Sequence, residues 1–329
     1  MHRMCLPYYR GKWGENMGLH HVDGTGGGLA LPDGKGPLSY RVDGAQGPVK
    51  LRYIAPPAAL RAYVGSLYLF TVSAPTFADQ TRADVPQLRF MLEGEGDYHF
   101  RDGTVTATPP VCLLGPTMGA TRFQLDRPSR VLGLSLLPAG WISLHGGDAD
   151  AMADRLTDMG AAKGGVLADL LERLRPLGED ADAMAAICWA ALAPVMRPLR
   201  QATWDLLAAV DDWLMGDGSP RPEALAEATG LSARQLARLT NRYYGAPPKL
   251  LARKYRALRC SAKIALDGIS WQQLCEEGGF YDQSHFIREI KHFIGLTPHQ
   301  LQTEPSAVAQ LTLLRRSLGG DVAVINRLS

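Results

Sequence analysis

The sequence has no long hydrophobic run. The longest apolar stretch covers 183–196, only 14 residues, whereas a membrane-spanning helix needs about 20. The N-terminal residues contain no apolar segment ahead of a small-residue cleavage site, so we expect no secretory signal. The five cysteines are scattered without a Cys-x-x-Cys pair, which argues against a disulfide framework and a zinc site. These absences favour a protein of the cytoplasm.

Neither sign of charge is in large excess. The chain has 35 lysines and arginines against 33 acidic residues, a formal net charge of +2, which by itself predicts no polyanionic partner. Acidic residues are absent, however, between Glu227 and Asp267. Nine cations fall there: Arg234, Arg238, Arg242, Lys249, Arg253, Lys254, Arg256, Arg259 and Lys263. Such a run is typical of a phosphate-binding surface, and a solvated helix surface is the alternative.

At 329 residues the chain is long enough for about two domains. Residues 1–50 hold eleven of the 35 glycines and predict a flexible arm. Residues 51–147 predict a small antiparallel barrel or jelly roll. Residues 148–202 predict a connector of two or three helices, which forms either domain core or a homodimer surface. Residues 203–303 predict an all-α domain and 304–329 a C-terminal tail, so the fold class is α+β.

The barrel prediction depends on short runs of β-branched and aromatic residues between turn residues. The predicted strands cover 66–73, 88–93, 97–101, 111–114, 121–125 and 130–137.

An internal repeat occupies the C-terminal region. Residues 225–231 return 49 positions later as 274–280, and after one inserted residue the offset becomes 50. In each copy a short helix ends at a glycine and a second helix begins a few residues later, which is the pattern of a helix-turn-helix unit. Helix starts are indicated by three pairs of a hydroxyl residue and a glutamine three positions on: Ser232 with Gln235, Ser270 with Gln273, and Thr297 with Gln300.

Between the copies, residues 248–266 predict one long helix that holds the two units at a fixed spacing. Its predicted buried stripe consists of Leu251, Tyr255, Leu258, Ala262 and Ala265.

The second helix of each copy has one apolar and one polar face when residues are placed at 100° intervals. The apolar faces consist of Leu236, Leu239 and Tyr243 in the first copy and Phe286, Ile290 and Phe293 in the second. The polar faces consist of Arg234, Arg238 and Asn241, and, at the offset of 50, Ser284, Arg288 and Lys291. Arginine suits bidentate recognition of guanine or phosphate, and the small Ser284 suits close approach to a base edge.

Residues 279–300 read Gly-Phe-Tyr-Asp-Gln-Ser-His-Phe-Ile-Arg-Glu-Ile-Lys-His-Phe-Ile-Gly-Leu-Thr-Pro-His-Gln. With them, the region from Thr203 to about Thr303 resembles the DNA-binding domain of the AraC/XylS family of bacterial transcriptional regulators. Thr240 departs from the family pattern, which usually has an aromatic residue there, and Glu289 stands where an apolar residue is usual. The resemblance implies that one recognition helix presents Arg234 and Arg238, and the other Gln283, Ser284 and Arg288. The full predicted DNA-binding set is Arg234, Gln235, Arg238, Asn241, Arg242, Gln283, Ser284, Arg288 and Lys291.

The N-terminal half is similar to the cupin-like sensor regions of many such regulators, notably around 132–144, where Pro138 follows the last strand. The resemblance implies a small effector inside the barrel. Alternate residues would line that site, namely Phe90, Leu92, Tyr98, Phe100, Cys112 and Leu114. The same residues are also what any small barrel needs to fill its interior.

The sequence therefore predicts a sequence-specific transcriptional regulator and no enzyme, with no cofactor and no metal. Expected partners are promoter or operator duplex DNA, RNA polymerase if the protein activates, an unknown small effector and a second copy of the chain, but no membrane. The alternative is a metal-dependent cupin-like enzyme with an accessory DNA-binding domain. That enzyme would need clustered histidines, whereas His99 and His145 are isolated, and His20 and His21 are adjacent and so point apart on an extended chain. A module that regulates through protein contacts alone is a third possibility.

Overall fold

The computed structural model describes residues 19–21, 38–44, 46–216, 220–277 and 279–328. Two antiparallel sheets form the N-terminal half, as the α+β prediction with a jelly-roll-like first part requires. The large sheet contains, in spatial order, β1 (Leu19–His21), β2 (Leu38–Gly44), β3 (Gly47–Ile54), β4 (Val64–Val72), β11 (Ser129–Leu136), β6 (Gln87–Glu93), β9 (Val111–Leu114) and β12 (Leu156–Asp158). The small sheet contains β5 (Phe77–Thr81), β10 (Thr121–Leu125), β7 (Gly96–His99) and β8 (Val105–Ala107).

The predicted flexible arm is wrong from residue 38 onward. Strand β2 pairs with β3 along its whole length, and β3 pairs with the central strand β4. Alternate side chains of this hairpin, including Tyr40, Val42 and Val49, are buried, and this burial stabilises the pairing. Strand β1 also joins this edge of the sheet. The glycine cluster at 24–28 lies outside the described residues.

The large sheet is covered on both faces. One face packs against the small sheet through an aromatic cluster that includes Phe70, Phe77 and Phe123, with ring centroids 6.0–6.3 Å apart. The other face packs against two helices, α2 (Val166–Leu174) and α3 (Ala181–Leu192). These are the helices predicted for the connector. Helix α1 (Pro138–Leu144) follows the last long strand.

The all-α region contains seven helices between residues 201 and 303 of the described chain. They are α4 (Gln201–Met215), α5 (Pro222–Thr229), α6 (Ala233–Tyr244), α7 (Pro248–Leu266), α8 (Trp271–Glu277), α9 (Gln283–Ile294) and α10 (Pro298–Thr303). The pairs α5–α6 and α8–α9 are the two predicted helix-turn-helix units. Helix α7 is the predicted long helix, and all five residues of its predicted stripe are buried.

Capping fixes where several of these helices begin. Ser232 and Thr297 form full capping boxes with Gln235 and Gln300, as predicted. At Ser270 the hydroxyl accepts the N–H of Gln273 at 3.4 Å, but the Gln273 side chain donates to Glu277 instead. The predicted capping box is therefore only half formed at α8.

The C-terminal segment, residues 305–328, folds back onto the sheets. It consists of α11 (Ala307–Leu313), a 3-10 stretch (Leu314–Asp321) and α12 (Val324–Leu328). Val308, Leu311, Leu318 and Val322 are buried in the aromatic cluster between the two sheets. The segment predicted as a tail is therefore part of the core. None of the described helices has the length and apolar composition to cross a membrane.

Candidate nucleic-acid interface and cavity

The first recognition helix is α6. Arg234, Arg238 and Arg242 are exposed, and Asn241 is half-buried. Leu236, Thr240 and Tyr244 are buried on the opposite side, so the predicted apolar face is confirmed at Leu236 while Leu239 and Tyr243 lie at its edge. Gln235 is exposed, but its side-chain oxygen accepts the N–H and hydroxyl of Ser232 at 3.0 and 2.7 Å. In this structure Gln235 therefore caps the helix.

The second recognition helix is α9. Gln283, Ser284, Arg288 and Lys291 are all exposed. Phe286, Ile290 and Phe293 are fully buried on the other side, as the facial analysis predicts. The carboxylate of Asp282 caps the helix by accepting the N–H of His285 at 2.6 Å. Sequence reasoning missed Tyr281, which immediately precedes this cap and is 92% exposed.

Only part of the nine-cation run is available to a partner. Arg234, Arg238, Lys249 and Lys263 are exposed, and the structure gives them no ion pair among the described residues. The other five engage groups within the chain: Arg242 pairs with Asp148, Arg253 and Arg256 with Glu289, Lys254 donates to Asp84, and Arg259 donates to Leu214. Lys254 is buried and is not part of a phosphate-binding surface, whereas Arg242 and Arg253 form their pairs through side chains that are 46% and 41% exposed, so the interpretation stays a prediction for them.

The structure explains why a glutamate stands at position 289, where the family usually has an apolar residue. Its carboxylate is buried and accepts two hydrogen bonds from Arg253, at 3.0 and 2.6 Å. Burial raises the pKa of Glu289, but the hydrogen bonds and charge of Arg253 outweigh this and lower it below its ordinary value. The carboxylate thus ties α9 to α7 where an apolar residue would only pack.

The two sheets and helices α1–α3 form the β domain, which comprises the described residues up to 196. This domain contacts the C-terminal ends of both recognition helices. The N–H of Ala149 donates to the carbonyl of Arg242 at 2.9 Å, and the N–H of Ala120 donates to the carbonyl of His292 at 2.9 Å. Arg242 and His292 are equivalent positions of the repeat, 50 residues apart. The N–H of Ala83 adds a bond to the carbonyl of Phe293 at 2.7 Å. The other domain therefore satisfies one orphan carbonyl at the end of α6 and two at the end of α9.

The glycine that ends each recognition helix permits this contact. Gly245 and Gly295, again 50 apart, have φ of +82° and +89°, a conformation that other residues rarely adopt. A Cβ atom at Gly245 would lie 2.4 Å from the Cγ of Pro116, and one at Gly295 would lie 2.4 Å from the side chain of Gln80. Both positions favour glycine for conformation, and Gly245 also for space, because the Pro116 ring cannot move aside as the end of the Gln80 side chain can.

A cavity lies between the two sheets and the C-terminal segment. Its apolar lining includes Tyr53, Tyr68, Phe70, Phe123 and Leu311. Its polar lining is Thr81, Arg82, Asp84, Gln87, Arg89, Asp97, Thr108, Gln124, Thr312 and Arg315. The C-terminal segment therefore supplies one wall of the cavity.

Asp84 is the centre of a buried polar network at this cavity. Its carboxylate accepts hydrogen bonds from Arg315 at 2.7 and 3.2 Å and from the Gln87 amide at 2.6 Å. Its backbone carbonyl accepts the ammonium of Lys254 on α7 at 2.7 Å. Burial raises the pKa of Asp84, but the charges of Arg315, Arg82 and Lys254 outweigh it and hold the carboxyl ionised. Burial also lowers the pKa of Lys254 to about 8.

Of the six predicted effector residues, Tyr98 lines this cavity. Phe90 and Leu92 face the other side of the large sheet and pack against α2 and α3. Phe100 and Leu114 are buried between the sheets, and Cys112 is buried opposite Arg89 on the neighbouring strand. On β6 it is Gln87, Arg89 and Met91 that line the cavity. On β6 the predicted residues thus lie on the face that packs against α2 and α3, and not on the face that lines the cavity; both faces of this strand are buried, so burial alone does not tell them apart.

The sequence contains a signal for the face of β6 that lines the cavity. Apart from the exposed Glu93 at its end, the polar residues of this strand are Gln87 and Arg89, which are two residues apart and so share a face. Burial of such polar groups requires partners and often marks a site. His99 bonds Asp97 at 2.5 Å, and no group of three metal-ligating side chains occurs among the described residues.

The C-terminal region matches a family model. Residues 225–304 match the family model of a helix-turn-helix domain, and this match covers both recognition helices. Residues 225–304 are therefore a helix-turn-helix domain.

Solved structures with a related arrangement have low sequence identity to the chain. An apo ToxT variant from Vibrio cholerae strain SCE256 is 13% identical, with 76% of this chain and 98% of that chain covered and a TM-score of 0.43. The AraC-like transcriptional activator CuxR is 16% identical, with 73% and 88% covered and a TM-score of 0.26. No curated protein sequence matches the chain.

A carboxyl on α4 that accepts a hydrogen bond from the first recognition helix makes stability depend on pH. Desolvation raises the pKa of Asp211 on α4 to about 7, although a hydrogen bond from Tyr244 at 2.8 Å opposes the shift. The folded state thus retains a proton that the unfolded chain releases near pH 4. We expect the free energy of unfolding to fall as pH rises from about 4 to about 7, by on the order of 4 kcal/mol.

Denaturant titrations at several pH values measure this dependence. Asp211→Asn removes the titrating group and is expected to flatten the profile between pH 4 and 7. Asp212→Asn, the same change at the exposed neighbour, is the matched control and should leave most of the slope. An unchanged slope in Asp211→Asn would contradict the assignment.

Proposed function

We propose that the protein is a sequence-specific DNA-binding transcriptional regulator that contacts duplex DNA through the exposed faces of both recognition helices. The proposal rests on one observation: residues at equivalent positions of the repeat are exposed on both helices, while the opposite faces of these helices are buried. The equivalent pairs are Arg234 with Ser284 and Arg238 with Arg288. Recognition helices of this kind contact base edges through their N-terminal residues. The β domain occupies only the C-terminal ends, so it leaves these residues accessible.

Within the proposal, the predicted residues have different roles. Arg234, Gln283 and Ser284 lie in the first turns and are the proposed base contacts. Arg238 and Arg288 lie one turn further and contact either bases or phosphate, and Lys291 and the half-buried Asn241 flank the same faces. Arg242 pairs with Asp148, with the Nε atom 3.3 Å from the carboxylate. Its contribution to DNA binding is therefore indirect, through the contact between the domains.

We also propose that the N-terminal half is a sensor and that its cavity takes a small effector. The support is the continuity from cavity to DNA-binding domain, because Asp84 lines the cavity and accepts Lys254 of the long helix between the two units. No described residue cluster favours the enzyme alternative over this proposal. Contact with RNA polymerase and formation of a homodimer stay predictions of the sequence.

Salt dependence of binding to duplex DNA tests the first proposal. Log affinity should fall linearly with log salt concentration, with a slope of about −0.9 for each phosphate contacted. If Arg238 or Arg288 holds a phosphate, its replacement by alanine should reduce the magnitude of the slope by about one. Arg316→Ala, which removes an exposed arginine paired with Asp267 at 3.5 Å, is the control and should leave the slope unchanged. Affinity that stays flat between 50 and 300 mM salt would contradict phosphate binding as the main driving force.

A further inference from the structure

The cavity contains a buried cation that lacks a carboxylate partner among the described residues. Arg89 is only 7% exposed and lines the cavity. Its guanidinium donates to the neutral amide oxygen of Gln87 at 3.0 and 3.3 Å and stacks over the ring of Tyr98, 5.2 Å from the centroid. Arginine remains charged in proteins, and an enclosed charge needs a counterion to offset its desolvation.

The carboxylates beside the cavity are already engaged. Asp84 is bound bidentately by Arg315, and the Asp97 carboxylate lies 2.5 Å from Nε2 of His99. The Gln87 amide that accepts Arg89 also accepts the hydroxyl of Tyr68 at 2.6 Å and donates to Asp84. One chain of hydrogen bonds therefore runs along the wall of the cavity, from Arg315 through Asp84 and Gln87 to Arg89. This chain ends at Arg89.

The remaining lining would suit the uncharged part of a ligand. Phe70, Phe123, Leu125, Val131 and Met91 provide an apolar and aromatic surface opposite this wall. Such a combination of an apolar surface with a few fixed polar groups is typical of sites for small organic molecules.

Resting on the sensor proposed above, we propose that the cavity binds a small organic anion. Its charged group bonds the Arg89 guanidinium, and its apolar body packs between the aromatic side chains of the two sheets and Leu311 of the C-terminal segment. Guanidinium and carboxylate or phosphate groups match in geometry, so the pairing selects for an anion over a neutral isostere.

Binding to the full-length chain tests the proposal with two acids of different size, butyrate and phenylacetate, each measured against its neutral amide. Calorimetry or the ligand-induced shift in unfolding temperature gives the affinities. We expect at least one acid to bind about tenfold or more tightly than its amide. Arg89→Gln should abolish this preference, and Arg89→Lys, which keeps the charge, should retain part of it.

Arg130→Gln is the matched control, because Arg130 lies on the neighbouring strand β11, pairs with Glu93 at 3.6 Å and does not line the cavity. It should keep the full preference for the acid. Equal affinity for acid and amide, no binding of either acid, or a preference that survives Arg89→Gln would each overturn the proposal. DNA binding by the same preparation is measured in a separate assay without ligand. A protein that binds DNA but no anion contradicts only the anion site, and a protein that binds the anion but no DNA contradicts only the DNA-binding proposal.

Discussion

Replacement of Arg315 by methionine is expected to lower the free energy of unfolding by about 3–5 kcal/mol. Arg315 is 2% exposed and binds the Asp84 carboxylate bidentately. Without it, the ionised Asp84 keeps the hydrogen bonds from the Gln87 amide and the Val85 N–H, and the charges of Arg82 and Lys254, as compensation. Removing one partner of a buried ion pair costs far more than the pair contributes, because the other charge stays buried.

Urea or thermal unfolding of the full chain measures this effect. Arg316→Met is the matched control, since it makes the same change at the next residue, where the arginine is exposed and pairs with a partly exposed Asp267 at 3.5 Å. We expect it to cost less than about 1 kcal/mol. Similar losses in the two variants would show that Arg315 does not hold the C-terminal segment on the sheets in solution.

Periodic features of the sequence predicted most of the helical fold. The limits of α7 follow from the repeat, from Pro248 in its first turn and from a stripe of apolar residues at helical spacing. The capping pair at Ser232 placed the start of α6, and angular spacing alone predicted the whole apolar face of α9 but only Leu236 on the buried face of α6. These signals are local, so they do not depend on which domain packs against the helix.

The features that the sequence did not predict all arise from contacts between distant segments. Nothing in the local sequence distinguishes a cation that bonds an acceptor inside the protein from a cation that faces water. Three cations of the first kind are Arg253, Lys254 and Arg315. Both faces of β6 are buried, so its apolar residues do not show which face lines the cavity. The charged Arg89 among them was the residue that indicated this face. Strands β2 and β3 were not predicted, because the glycines around them indicated a flexible arm although alternate residues of both strands are buried.

The repeat has a consequence beyond the two helix-turn-helix units. Since Arg242 and His292 are equivalent and both accept backbone N–H groups of the β domain, this domain is held against the same end of each unit. The contact with the β domain and α7 thus fixes the two recognition helices relative to one another by two independent connections. B-DNA presents the same face about every 34 Å, so a rigid pair must match that repeat or bend the DNA at a cost of a few kcal/mol.

Replacing Arg234 and Gln283 separately by alanine should therefore relax base preference in two different segments of one binding site. Each loss is expected to cost about 1–3 kcal/mol at the bases that the side chain contacts and to leave preference in the other segment intact. Selection of binding sequences from a random duplex pool, with the wild type and each variant, measures this. Arg242→Ala, on the same helix as Arg234 but paired with Asp148, is the control that should keep both preferences. If Arg234→Ala and Gln283→Ala alter the same base positions, or neither alters any, the two recognition helices do not read separate segments of DNA.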